Sequence, residues 1–194
     1  MIGGYFAIDK VFQASRLGKL WKQVAFYSIL ICLLNAVTIG VTRTDVVKAI
    51  FPISAKTYWF ASVYMGLLVL MPFVSMVAAR MTRRQYQYLL GALPLFLSVN
   101  HMIFRVDTYG TFCGRELPWF IYLTLLAGYV KLHTKEDRRY AWYGFAGYVV
   151  SSLAVLASVY LSVKTHQEDI GYFLNYNSPL ALLGTLALFV CVRN

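Results

Sequence analysis

His101 is the histidine best placed for chemistry in this chain, with Arg105 one helical turn later and Asn100 and Asp107 beside it. An imidazole whose neighbours orient it and tune its pKa is a common general base. The plainer reading is an interfacial histidine at the end of an apolar run. His133 and His166 fall in polar stretches and read as solvated. Cys32, Cys113 and Cys191 are odd in number and unclustered, so they outline neither a disulfide framework nor a metal site. No H-E-x-x-H, G-x-S-x-G, P-loop or C-x-x-C pattern occurs, and no serine is marked as a nucleophile. Arg80, Arg83 and Arg84 would suit an anionic ligand, although a stop signal flanking a membrane span explains them more simply.

These groups must be positioned by long apolar runs, at residues 23–41, 57–79, 87–104, 117–132, 141–163 and 179–192. A helix needs about 17–25 residues to cross roughly 30 Å of hydrocarbon. Four runs meet that length, 117–132 sits at its edge, and 179–192 falls short. Without water, backbone N–H and C=O groups must pair within each segment, so the runs predict helices. The expected fold is all-α: a polytopic membrane helix bundle with five complete spans, a sixth truncated one and an N-terminal span stub at 1–8. No linker divides the chain, so residues 1–194 read as a single transmembrane domain, an incomplete part of a larger one. Pro72 and Pro94 lie inside spans and predict kinks. Pro118 and Pro179 open spans, where a missing N–H costs nothing, and Ser178 is placed to cap the second of these. Residues 9–22 mix basic and apolar side chains and suit an interfacial amphipathic stretch. The apolar centre at 49–53 reads as a re-entrant or interfacial turn.

Only 13% of residues are charged and the mean hydropathy is +0.60, far from a soluble domain's composition. Assigning loops alternately to two sides puts twelve of the eighteen Lys and Arg residues, Lys131 and Arg193 included, on the side of the N-terminus and the turns at 80–86 and 134–140. That asymmetry predicts that these segments face the cytoplasm. Topology explains the net charge of +10, and no nucleic-acid partner is expected. The apolar runs hold no Asp, Glu, Lys or Arg at mid-depth, which argues against an ion-coupled transporter or pump. Their polar residues are mild, Asn35, Ser62, Ser98, Thr124 and Ser151 among them, and usually serve close helix packing.

Gly4, Tyr5 and Phe6, then Trp21, Phe26, Tyr27 and Ser28, Tyr58, Trp59 and Phe60, and Leu70, Met71, Pro72 and Phe73 follow one another in an informative order. Arg84, Gln85 and Tyr86 continue it, as do Trp119 to Leu123 with Gly128, Tyr129 and Val130, and Tyr176 to Leu180. In that order the chain resembles acyltransferase family 3, the bacterial integral-membrane O-acyltransferases of capsule, O-antigen and exopolysaccharide sugars. The similarity is spread over nearly the whole chain. Family members open with a span carrying an Arg and, about three turns later, the catalytic His. That span would precede Gly4, and further helices would follow Arg193. The chain thus resembles the middle of such an enzyme, with no residue matching the catalytic His; His101 is only a candidate.

The resemblance implies transfer of an acyl group, acetyl foremost, from acyl-CoA to a hydroxyl of a cell-surface polysaccharide. It places the protein in the bacterial cytoplasmic membrane. It implies that Arg16, Lys19 and Lys22 hold CoA phosphates, and that Tyr58, Trp59, Arg105, Arg115 and Trp119 hold the saccharide acceptor. No resident cofactor or metal is expected, acyl-CoA being a donor substrate. The expected partners are the lipid bilayer, acyl-CoA, the saccharide, and either the absent N- and C-terminal segments or a second copy. Alone, the chain is expected to be inactive. Competing readings are a glycan polymerase or flippase component, and a non-catalytic membrane scaffold.

Overall fold

The computed structural model of the chain describes residues 1, 5–6, 8, 14–104, 106, 109–165 and 172–194, with residues 101 and 172 described by backbone alone. The described residues are helical, without strands, and divide into two compact units: Lys10–Phe73, and Met1–Asp9 with Val74–Asn194. Four helices are long and apolar enough to cross a membrane: Ala14–Thr38, Trp59–Arg80, Arg83–Phe104 and Arg138–Lys164. They leave large apolar side chains exposed, Leu33, Leu34, Val150 and Leu156 among them, as lipid-facing surfaces do.

In the Lys10–Phe73 unit, α1 (Ala14–Thr38) runs without interruption through both the basic stretch and the apolar run. The amphipathic segment expected at 9–22 is therefore, from Ala14 onward, the first turns of the span's own helix. Arg, Leu and Lys are good helix formers and nothing between Arg16 and Gln23 stops propagation. Gly40 ends α1: at φ 84° it donates its N–H to the Asn35 carbonyl, 3.0 Å away. A capping box then starts α2 (Arg43–Ile50). Asp45 N–H donates to Thr42 Oγ1 (3.3 Å), and Thr42 N–H donates to Asp45 Oδ2 (3.0 Å). Of the turn expected at 49–53, Ala49 and Ile50 end this helix, and Phe51, Pro52 and Ile53 form the bend and turn that follow it. α3 (Trp59–Arg80) follows, its Ser62 hydroxyl donating to the Ile53 carbonyl at 2.7 Å. Helix α3 continues unbroken across Pro72.

In the other unit, α4 (Arg83–Pro94) begins with a second capping box, Thr82 with Gln85. At Pro94 the chain does change: a π-helical turn, Leu95–Val99, leads into α5 (Asn100–Phe104). α6 (Leu117–His133) is the buried element. Its Trp119, Tyr122 and Leu126 pack with Leu97, and its Ala127 and Val130 with Phe189. The fully buried Tyr86 donates its hydroxyl to the Leu125 carbonyl at 2.8 Å. α7 (Arg138–Lys164) is capped by Asp137 and α8 (Pro179–Arg193) by Ser178, whose Oγ accepts from Ala181 N–H at 3.1 Å. Small residues join α7 to α8. A Cβ on Gly144 would lie 2.6 Å from the Ala187 carbonyl oxygen, and one on Gly184 would lie 2.8 Å from Ser151 Oγ. Lipid supplies no hydrophobic drive between helices, so such close backbone approach carries the association.

Candidate functional site

Within the Lys10–Phe73 unit, α1, α2 and the approach to α3 line an open cavity of about 320 Å³ with mixed polar and apolar walls. Helix α1 contributes Ser28, Cys32 and Asn35, which at spacings of four and three share one face. Helix α2 contributes Asp45 and Lys48, and Tyr58 lies at the approach to α3. Ser28 is buried and Asn35 half-buried. Hydrogen bonds from the Thr42 hydroxyl and then from its backbone N–H hold the Asp45 carboxyl below the usual carboxylate range. Asp45 is therefore an anion at neutral pH, one turn from the Lys48 ammonium. The walls carry hydroxyl, amide, carboxylate and ammonium groups beside an aromatic ring and the apolar Ile31, Ile39, Val41 and Ala49, with no net charge.

Of the residues singled out from sequence, Tyr58 lines this cavity and Trp59 opens α3, its ring edge-on to Phe60 at 5.9 Å. Arg16, Lys19 and Lys22 are exposed on the first turns of α1, spaced three apart and so spread over one side of the helix.

In the unit formed by Met1–Asp9 and Val74–Asn194, the strongest backbone feature is the turn before α6. Phe112 (φ 42°), Cys113 (φ 59°) and Gly114 (φ 84°) are consecutively left-handed. For the two non-glycine residues this costs of order 1–3 kcal/mol each and persists only where the surroundings dictate it. The surroundings here are specific. The Thr111 carbonyl accepts from the N–H groups of Gly114, Arg115 and Glu116. The buried Asn177 side chain donates to the Leu97 carbonyl (2.9 Å) and to Thr111 Oγ1 (3.3 Å), tying this turn to the π-helical turn. Gly114 has no room for a Cβ, which would sit 2.6 Å from Asn177 N. Ser98 Oγ and Asn177 Oδ1 are buried without a hydrogen-bond partner, beside a gap of about 10 Å³ that suits a single water.

Arg115 is exposed, with its guanidinium carbon 6.0 Å from the centre of the Tyr176 ring. Trp119 is 1% exposed and packs on Tyr122, 5.2 Å between ring centres. Arg105 lies outside the described residues, as does the side chain of His101; the His101 backbone is helical, within α5. His133 packs against the rings of Tyr86 (5.9 Å) and Tyr129 (5.0 Å). The Tyr129 hydroxyl accepts from Gln87 Nε2 at 2.8 Å and from Arg83 Nε at 3.5 Å. Sequence reading missed Thr111 and Asn177 as partners, and read Asn35 and Ser98 as ordinary packing residues. A glycine at 114 and an Asn directly before the Ser178–Pro179 helix start were the available signals. Among the described residues no group of three or more His, Cys, Asp or Glu could hold a metal ion.

Comparison with known proteins gives one family. The acyltransferase family 3 model, described as an acyltransferase domain, matches residues 1–194. No curated protein and no solved structure matches the chain.

Proposed function

The chain belongs to the acyltransferase domain family, and from that premise we propose that it forms the central part of a membrane O-acyltransferase of cell-surface polysaccharide. The observation that carries this reading is the family match along the whole chain, on a set of helices able to cross a membrane. In the proposed reaction a saccharide hydroxyl oxygen attacks the thioester carbonyl carbon of acyl-CoA while a base takes the hydroxyl proton. The C–O bond forms, the C–S bond breaks, and the sulfur leaves with its electron pair and is protonated to the CoA thiol. The exposed cations Arg16, Lys19 and Lys22 bind the CoA phosphates, because a clustered set of positive groups favours charge-assisted contacts to phosphate oxygens. Tyr58, Trp59 and Arg115 serve the acceptor.

A base must reach within about 3 Å of the proton it removes. On this reading it is the His of a span preceding Gly4, as the family resemblance places it. The test compares O-acylation of glycan in proteoliposomes supplied with acetyl-CoA. Its arms are the 194-residue chain alone, the chain extended upstream by a span carrying Arg and His, and that extended chain with its added His changed to Ala. Only the second arm is expected to transfer acyl groups. Robust transfer by the 194-residue chain alone would refute the assignment of the base and turn attention to His101.

The orientation that accompanies this reading puts the N-terminus and the turns at 80–86 and 134–140 in the cytoplasm of a bacterial cell. It follows from the charge asymmetry of the loops. A single cysteine at position 83 is expected to resist an impermeant thiol reagent added outside intact cells, and one at position 167 to react. Labelling at 83 from outside reverses the assignment.

A further inference from the structure

We propose that the cavity bounded by Ser28, Cys32, Asn35, Asp45, Lys48 and Tyr58 is a binding site for a neutral polyhydroxylated ring, a single sugar unit. Its volume, about 320 Å³, falls within the range of small-ligand pockets. Its location is the first argument. Ser28, Cys32 and Asn35 belong to a helix whose length and composition suit a membrane span, where a carboxamide without polar company costs several kcal/mol. The half-buried Asn35 lines this mixed cavity, which gives a ligand hydroxyl room to satisfy its carboxamide.

The chemistry of the walls selects the ligand class. An anion would require net positive walls, but the Asp45 carboxylate offsets the Lys48 ammonium. Both hydrogen bonds from Thr42 end on Asp45 Oδ2, which leaves Oδ1 to accept from a hydroxyl. The lining supplies both donors and acceptors: the Ser28 and Tyr58 hydroxyls serve as both, the Asn35 side chain offers a carbonyl and an NH2, and Lys48 only donates. Sugar hydroxyls, themselves both donor and acceptor, match such a set, and the Tyr58 ring offers an apolar face to ring C–H groups. A phosphate could accept from the same donors, but the Asp45 carboxylate in the wall opposes a second anion. The inference rests on the reading of the acceptor as a saccharide and adds where one unit of it sits.

Native Cys32 reports on the site. In the full chain, with Cys113 and Cys191 replaced by serine, a water-soluble methanethiosulfonate is expected to label Cys32. Methyl glucopyranoside, methyl galactopyranoside and N-acetylglucosamine are the protecting probes, with inorganic phosphate in parallel. At about four times its dissociation constant the best glycoside should slow labelling about fivefold. Phosphate should leave the rate unchanged, and Asn35→Leu should keep the labelling but remove the protection. An unreactive Cys32, equal slowing by phosphate, or protection by none of the glycosides overturns the proposal. Tight CoA binding alongside absent glycoside protection would sink this site alone; glycoside protection without CoA binding would sink the acyltransferase reading alone.

Discussion

Replacing Arg16, Lys19 and Lys22 together with glutamine is expected to weaken CoA binding about tenfold, with a ceiling near a hundredfold. Well-formed charge-assisted contacts contribute about 1.5–3 kcal/mol each. All three cations are exposed on α1, however, and exposed pairs typically yield about 0.2–1 kcal/mol. The smaller figure governs, so three contacts sum to roughly 0.6–3 kcal/mol. The effect should shrink as salt rises, since screening falls heaviest on exposed charges. Calorimetry with CoA on the purified protein at two ionic strengths measures it. Dephospho-CoA, lacking one phosphate, should lose less on substitution. An unchanged dissociation constant in the triple variant would mean that these residues serve topology alone.

The second large effect is on stability. Gly144→Ala is expected to destabilise the α7–α8 pair by about 1–3 kcal/mol, the usual cost of overpacking. The added Cβ would meet only backbone, at 2.6 Å from the Ala187 oxygen and 2.7 Å from Cys191 N. No side chain can rotate away, so the helices must part. Gly147→Ala meets the Ala187 Cβ at 3.3 Å and should be milder. Gly91→Ala, with nothing within 4 Å, should be neutral or stabilising by up to about 1 kcal/mol. Unfolding by SDS titration in micelles ranks the three. If Gly144→Ala proves no worse than Gly91→Ala, the close helix contact is wrong.

The helices were legible in sequence because a membrane leaves the backbone little choice. Apolar length marks α3 and α7, and Ser178 before Pro179 marks the start of α8. Boundaries were harder where a helix runs past its apolar stretch, as α1 does through Arg16 and Lys22. Side-chain direction was not legible. An aromatic at the start of a run has the same sequence signature whether it faces headgroups, a ligand or a core. Trp119, read as a platform, is buried against Tyr122, whereas Tyr58, read the same way, lines a cavity. Asn35 and Asn177 gain their surroundings from segments remote in sequence: Asn177 bonds the carbonyl of Leu97, eighty positions away. Local pattern carries no trace of such pairings.

The widened turn at Leu95–Val99 sets the phase between α4 and α5. Its closing bond, from Asn100 N–H to the Leu95 carbonyl, spans one residue more than an α-turn does. In geometric terms it accommodates one extra residue without breaking the helix. Deleting one residue there would restore regular turns and rotate everything beyond it by about 100°. Asn177 reaches both the Leu97 carbonyl and Thr111 Oγ1 in this register, so shortening the turn by one residue would pull apart the buried polar knot before α6.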